Sequence, residues 1–262
     1  LFDPANFQNI IVQGTVIGIL SLGMTFVMLI GEIDLSVISV LGFGPLVALL
    51  AMQLGVPFVA APFLTILAGA GIGLMNGFLI EKVGIPSLVQ TLSTMLLLFG
   101  VILVVTQGET QAVLASEWRW LGNAYIGPVR VLLIFFILLT IVVWFFVKNT
   151  KTGLRLYLTG GNENSARAAG IPTAKMRILA FILCAVLAAI AGYFNTARIG
   201  GISAQIDSSM VGLSLAAPVI SGVSLTGGRG NMLNVIGGAF IIQLIVNIIR
   251  LVPAIGQFYY QL

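Results

Sequence analysis

Long apolar runs separated by short polar stretches repeat along the whole chain. A membrane-spanning helix needs about 20 predominantly apolar residues, and eight runs approach that length. They are Asn9 to Ile30, Val37 to Leu54, Pro57 to Ile80, Ser87 to Thr106, Val131 to Val147, Ile178 to Ala197, Met210 to Thr226 and Met232 to Leu251. The pattern predicts an all-α, polytopic transmembrane bundle with at least eight spans, forming a single domain over residues 1–262.

A polar, glycine-containing string, Gly31-Glu32-Ile33-Asp34-Leu35-Ser36-Val37, separates the first two runs. Carboxylates at the edge of a membrane segment need water or a partner. Glycine beside acid favours a helix break, and irregular backbone at membrane depth is tolerated where protein or a water-filled cavity covers it. The string therefore predicts a broken helix on a pathway through the membrane. The stretch 227–231 is a second candidate break, and each break could separate two helices or interrupt one.

Composition places the chain in the bilayer. Apolar residues make up 59% and charged residues 8%, whereas soluble domains carry about 25% charged residues. The net charge of +4 follows the loops, so it indicates topology and no nucleic-acid partner. Cys184 is the one cysteine, which excludes an intrachain disulfide and favours a small buried hydrophobe. The chain has no histidine and so lacks the commonest general base and metal ligand.

Lysine and arginine predict the orientation. The stretch Lys148 to Arg177 holds six basic residues and one acid, so the positive-inside rule predicts a cytoplasmic loop at 148–177. Counting spans from it puts Glu81-Lys82 and 226–231 on the same side, and 107–130 and 198–209 outside. The first outer loop carries aromatic residues suited to an interfacial belt, namely Trp118, Trp120 and Tyr125.

Two further patterns concern packing. Gly69, Gly73 and Gly77 recur every fourth position, and such a stripe lets helices approach closely.

Asp34 precedes Gly42 by eight residues and Arg229 precedes Gly237 by eight. This spacing indicates either chance similarity or an internal repeat of the kind found in transporters. Asp34 could bond backbone N–H groups of its own break, or it could form a gating pair with Arg229 across a repeat interface.

The cytoplasmic loop contains its own helix signal. Asn162 is a suitable N-cap, Glu163 favours a positive helix start, and Gly170 followed by Pro172 is a stop. The predicted helix has about two turns, far too short to span a membrane. It is either an ordinary loop helix or one that docks into a partner's groove.

Four strings, in this order, resemble the permease subunits of ribose-type ABC importers. They are GEIDLSV (31–37), NGFLIEKVGIPSLVQTLST (76–94), LTGGNENSARAAGI (158–171) and ISGVSLTGGRGN (220–231). The resemblance implies a dimeric helical subunit in the bacterial inner membrane. It implies transport of a monosaccharide or similar small polar solute, delivered by an extracytoplasmic solute-binding protein and driven by ATP-binding cassette ATPase subunits. No cofactor is implied, because ATP is bound by the separate subunits.

The resemblance also implies residue roles. The family's coupling helix falls on Asn162 to Gly170, with the positions that face the ATPase being Gly161, Asn162, Glu163, Ala166 and Gly170. The implied translocation pathway includes Asp34, Ser36, Asn76 and Thr91. Many members have glycine where this chain has Glu32, so no direct transport role is expected there. The family usually has one more span at each end, which implies that terminal spans are missing here.

Two other classes of membrane protein have sequence requirements of their own. A histidine-free membrane enzyme would need clustered acids or a serine with a lysine, and Asp34 is the one aspartate near a span interior. A secondary transporter or channel would place ionisable residues in several spans. In this chain only Glu32, Asp34 and Arg229 are candidates for such residues. The chain has no GxxxxGK[ST] string. We therefore expect an ATP-driven permease and no enzyme.

Overall fold

The computed structural model describes residues 3–113, 115–203 and 207–251. The helices are α1 (Pro4–Leu29), α2 (Val37–Gln53), α3 (Ala61–Phe78), α4 (Ser87–Thr106), α5 (Ser116–Asn123), α6 (Val131–Asn149), α7 (Lys151–Gly161), α8 (Glu163–Ala168), α9 (Thr173–Ile199), α10 (Ser209–Ile220) and α11 (Asn234–Leu251). A 3₁₀ turn precedes α3 at Phe58–Ala60, and a π-helical turn follows it at Leu79–Val83. Two-residue strands form two antiparallel pairs, β1 (Gln111–Ala112) with β4 (Gly201–Ile202), and β2 (Tyr125–Ile126) with β3 (Val129–Arg130). The all-α prediction is confirmed.

Six helical segments are long and apolar enough to cross a membrane, namely Asn6–Leu29, Phe58–Val83, Ser87–Thr106, Val131–Asn149, Thr173–Ile199 and Asn234–Leu251. Helix α2 has 17 residues and α10 has 12. At 1.5 Å per residue α10 extends about 18 Å, against about 30 Å of hydrocarbon. It ends at Ile220 because Gly222 turns the chain with a φ of +87°. The prediction of at least eight spans is therefore not confirmed, and the described residues form a six-span polytopic bundle with two shorter apolar helices.

Helices α1 and α9 lie at the centre of the bundle. Of their most apolar segments 89% and 61% are buried inside the protein, whereas the other four long segments are 22–28% buried. Helix α9 packs against α1, α2, α3 and α5, while α1 also packs against α6, α10 and α11. The remaining helices thus turn apolar faces outward, as a bilayer requires.

The glycine stripe on α3 is a close-packing surface, as predicted. A Cβ added at Gly69 would lie 2.7 Å from the carbonyl oxygen of Ala185, and one at Gly73 would lie 2.5 Å from that of Phe181. At Gly77 it would lie 2.8 Å from the Cα of α9 residue Ile178. Helix α3 therefore contacts the backbone of α9 along the whole stripe.

The stripe carries a matched test. Gly73→Ala should destabilise the protein by about 1–3 kcal/mol, because the new methyl group forces α3 away from α9. Gly71→Ala is the control, since nothing lies within 4 Å of the Cβ position there. Thermal unfolding of the detergent-solubilised protein should give a lower Tm for the first variant alone. Equal Tm values for the two variants would contradict this account of the stripe.

The loops assemble at two ends of the bundle, as the charge count predicts. At one end, the backbone N–H of Gly228 donates to the Leu29 carbonyl at 2.9 Å, and the Tyr157 hydroxyl donates to the Gly230 carbonyl at 2.6 Å. At the other end, strand pairing joins the loops 107–130 and 198–209. Loops predicted to share a side of the membrane therefore lie together.

The aromatic belt is smaller than predicted, because Trp118 is an interior residue. Its ring is 0% exposed and stacks on Tyr193 at 4.9 Å between centroids, and its indole N–H donates to the Tyr193 carbonyl at 3.1 Å. Trp120 and Tyr125, by contrast, are 64% and 45% exposed. The amphipathic helix α5 folds back on α9, so one of its tryptophans faces inward. Cys184 is buried, as predicted.

Labelling in intact cells tests the orientation. In a Cys184→Ser background, an impermeant thiol reagent should modify Trp120→Cys, which lies in the predicted outer loop. It should spare Ser165→Cys, which is also exposed but lies in the basic loop. After permeabilisation both positions should react, which controls for access. The reverse pattern in intact cells would overturn the orientation.

Candidate functional site

The first break is present and covered by protein. Helix α1 ends at Leu29, Gly31 takes a left-handed φ of +78°, and α2 begins at Val37. The connecting residues Asp34 and Ser36 are fully buried. The second candidate break also separates two helices, α10 and α11, with left-handed glycines at 227 and 228. Both breaks therefore divide neighbouring helices.

Asp34 organises the first break. Its Oδ1 accepts hydrogen bonds from the Ser36 backbone N–H at 2.8 Å and from the Ser36 hydroxyl at 2.6 Å. Its Oδ2 is buried with no hydrogen bond from the described residues, and the Cys184 thiol lies beside the carboxylate. The carboxylate thereby holds the backbone turn that leads into α2.

Asn76 on α3 extends these contacts across three helices. Its Nδ2 donates to the Ser36 hydroxyl at 3.0 Å. Its Oδ1 accepts from the Thr94 hydroxyl at 2.6 Å and from the Gln90 amide at 3.2 Å. On α4, the Thr91 hydroxyl accepts from the backbone N–H of Leu35 at 3.1 Å. We call this set the polar cluster: Asp34, Ser36, Asn76, Gln90, Thr91 and Thr94.

The polar cluster contains all four predicted pathway residues, and each of these four is 0% exposed. In this conformation they close the space between α2, α3 and α4 and do not line an open channel. Sequence reasoning missed Gln90 and Thr94. Their four-residue spacing on α4 puts both on one helix face, which was the available signal.

Arg177, near the start of α9, holds three carboxylates from distant segments. Its Nη1 pairs with Glu81, its Nη2 lies 2.9 Å from Glu163 Oε2, and its Nε lies 3.5 Å from Glu32 Oε1. The hydroxyl of Ser87 also donates to Glu32. Sequence reasoning counted Arg177 only as a topology charge, because its partners are far away along the chain. We call Arg177, Glu32, Glu81 and Glu163 the ion network.

The predicted gating pair is not formed in this structure. Asp34 is fully buried, whereas Arg229 is exposed in the glycine loop before α11. The ion pairs found among the described residues include neither of them. The loop lies at the surface of the bundle, so Arg229 is exposed to solvent while Asp34 is enclosed by protein.

The short helix α8 is present with both predicted caps. The side chain of Asn162 accepts from the Ser165 backbone N–H at 2.9 Å. At the other end Gly170, with a φ of +76°, donates to the Arg167 carbonyl at 2.9 Å, and Ile171 donates to that of Ala166 at 3.0 Å. These two bonds form a Schellman motif, so the segment ends sharply.

Glu163 makes one ion pair within α8 and one that fastens α8 to α9. Glu163 pairs with Arg167 at 2.7 Å within the helix and with Arg177 at 2.9 Å across to α9. Burial acting alone would raise the pKa of Glu163, but the hydrogen bonds and charges of these arginines lower the pKa below its usual value. Glu163 is therefore ionised at neutral pH.

A groove runs beside α8. It has a volume of about 390 Å³ and is lined by α7, α8 and the glycine loop, including Tyr157, Gly161, Asn162, Ala166 and Gly228. Four of the five predicted coupling residues lie in α8 or its caps, and Gly161 immediately precedes them. The groove and the exposed side of α8 form a continuous surface at the end of the bundle that carries the ion network.

A polar cavity lies at the opposite end of α9. It has a volume of about 300 Å³, and its polar lining includes Gln13, Asn195, Arg198, Asp207 and Arg250. Leu41 and Gly42 of α2 also line it. Helix α9 is 27 residues long, or about 40 Å at 1.5 Å per residue. The cavity and the ion network are thus on opposite sides of the bundle.

Comparisons with known proteins find similarity to transport permeases. The family model described as branched-chain amino acid transport system / permease component matches residues 6–259. The ribose import permease of Haemophilus influenzae is 31% identical over 100% of this chain and 81% of its own length. The D-allose transport system permease of Escherichia coli is 31% identical over 98% of this chain and 78% of its own. The autoinducer 2 import system permease of Yersinia pseudotuberculosis is 32% identical over 95% and 71%. No solved structure matches the chain.

The matches cover nearly the whole chain, and they exclude the membrane-enzyme alternative because the family is one of permeases. They agree with a multi-pass bundle whose helices are long enough to span a bilayer. The chain therefore belongs to the branched-chain amino acid transport system / permease component family and is a transmembrane permease subunit of an ABC importer.

Proposed function

We propose that this permease imports a monosaccharide or a similar small polar solute across the bacterial inner membrane. The cavity at the outer end of α9 carries the proposal. Its volume of about 300 Å³ is at the small end of ligand pockets. Its amide and charged side chains offer hydrogen bonds to hydroxyl groups from several directions. The ribose, D-allose and autoinducer 2 named for the relatives support a small solute of this kind.

The polar cluster is proposed as the gate below this cavity. Leu41, in the cavity wall, follows Ser36 by five residues on α2, or about 8 Å along the helix. The cluster therefore lies inward of the cavity along α2, on the side of that helix that faces α3 and α4. Because hydrogen bonds join the break to Asn76 on α3 through Ser36 and to Thr91 on α4 through Leu35, passage requires the break to separate from α3 and α4. In this proposal the four pathway residues control passage by moving apart.

The partners are proposed from the family and from α8. Family members work with ATPase and solute-binding subunits in general, and the capped helix with its groove suits docking to an ATPase. In this proposal residues 148–177 form a cytoplasmic coupling loop, in which Gly161, Asn162, Glu163, Ala166 and Gly170 contact or shape the docking surface. ATP is bound by the ATPase subunits, a second permease subunit completes a dimer, and a solute-binding protein delivers solute outside.

Reconstitution tests the function. Vesicles containing the permease, its cognate ATPase subunit and its solute-binding protein should accumulate labelled ribose or D-allose when ATP is present. Vanadate should stop the uptake, and a catalytically inactive ATPase is the matched control. Uptake driven by an ion gradient without ATP would instead identify a secondary transporter. ATP-driven uptake of leucine with no sugar uptake would overturn the sugar proposal.

A further inference from the structure

We infer that Arg177 is the positioning residue through which movement of α8 reaches the gate. The inference rests on the proposed function of α8 as the docking helix. The Arg177 guanidinium contacts one carboxylate from each of three segments, namely Glu163 on α8, Glu81 in the π-helical turn after α3 and Glu32 in the break after α1. These are the proposed docking helix, the turn that follows an outer span, and the break that contains Asp34.

An arginine suits this position. Its planar guanidinium carries five N–H donors and can hold several carboxylates in a set geometry, which a lysine ammonium cannot. The side chain of Arg177 is 18% exposed and that of Glu81 is 9% exposed, so their attraction is screened less than that of a surface pair. Without Arg177, three negative charges would remain close together. Glu32 is held to the guanidinium by charge across 3.5 Å, without a hydrogen bond from Nε, and the same guanidinium is shared with α8.

The contact continues from Glu32 into the polar cluster. The Ser87 hydroxyl at the start of α4 donates to Glu32. One turn further on, the Thr91 hydroxyl of α4 accepts from the Leu35 backbone N–H. Two contacts thus fasten the break to α4, on either side of Asp34. A displacement of Glu32 loosens the first of them and moves the residue that organises the cluster.

The inferred sequence of events is mechanical and involves no reaction in this chain. When the ATPase displaces α8, Glu163 carries the Arg177 guanidinium with it. Glu32 then follows or loses its partner, and the break shifts relative to α4. Arg177 touches no solute in this account.

The test uses the complete complex in vesicles and does not need the solute. Ile33→Cys, in a Cys184→Ser background, reports on the break, because Ile33 is partly exposed beside Glu32. Its rate of thiol labelling is measured with and without ATP plus vanadate, alongside ATP hydrolysis. In Arg177→Gln we expect the nucleotide-dependent change in labelling rate to fall at least fivefold, with ATP hydrolysis within twofold of the parent. Lys175→Gln is the matched control: Lys175 is exposed on the same helix and is in none of the ion pairs of the described residues.

Glu163→Gln provides a second variant that leaves the centre of the network in place. It should reduce the labelling response as well, and the double variant with Arg177→Gln should be no worse than Arg177→Gln alone. An undiminished response in Arg177→Gln, or in Glu163→Gln if the first variant does not fold, would overturn the inference. So would a parallel fall of ATP hydrolysis and thermal stability, which a purely structural role predicts. A parent complex whose labelling ignores ATP would instead contradict the proposed gate.

Discussion

Asp34→Ala is expected to abolish solute uptake and to destabilise the permease by about 3 kcal/mol or more. The variant removes the acceptor of two buried hydrogen bonds, those from the backbone N–H and the hydroxyl of Ser36. Each hydrogen bond to a charged group contributes about 1.5–3 kcal/mol. The Ser36 hydroxyl also accepts from Asn76, so freeing Ser36 should weaken the contact between the break and α3. Uptake into vesicles and thermal unfolding in detergent measure the two effects.

Asp34→Asn removes the negative charge but keeps an oxygen that can accept the hydrogen bonds. Its carbonyl oxygen can replace Oδ1 as the acceptor from Ser36, so this variant should fold and should impair transport less than Asp34→Ala does. Because Arg229 does not contact Asp34, the effects of Asp34→Asn and Arg229→Gln on stability should be additive within about 0.5 kcal/mol. A larger coupling energy between the two substitutions would support the Asp34–Arg229 gating pair. Wild-type uptake in Asp34→Ala would contradict the proposed role of the polar cluster as a gate.

Gly170→Pro is expected to reduce uptake at least tenfold while the spans stay folded. Proline locks φ near −65°, whereas Gly170 has a φ of +76°, so the ring cannot follow the native turn. The variant also lacks the N–H that donates to the Arg167 carbonyl. The C-terminal end of α8 should unravel, and with it the docking surface. Uptake and co-purification of the ATPase subunit measure this result.

Gly170→Asn is the matched control for the backbone effect. Asparagine is among the non-glycine residues that adopt left-handed conformations most readily, and nothing lies within 4 Å of the added Cβ. It should retain most of the uptake. An unchanged Tm in Gly170→Pro would show that the loss comes from docking, whereas normal uptake in that variant would contradict the coupling role of α8.

Local patterns in the chain were enough to predict six of the spans, the break at Gly31 and the helix α8. Apolar length specifies a span because every backbone polar group in lipid must be satisfied within a helix. Caps specify α8 because Asn162 and Gly170 act on backbone groups within four residues. The positions of Asp34, Ser36, Asn76 and Thr91 as a functional set came from the family resemblance, and the structure brings these residues together.

Packing, by contrast, determined which charges and rings meet. The Arg177 bond to Glu81 joins residues 96 positions apart, and that of Trp118 to Tyr193 joins residues 75 apart. No periodicity along the chain encodes such pairs, so Trp118 was expected at the interface, and the sequence left open whether Asp34 bonds the backbone of the break or pairs with Arg229. Helix α10 stopped short of its apolar run because Gly222 turned the backbone. The length of an apolar run can specify a helix, but the partner of a buried charge depends on which helices pack beside it.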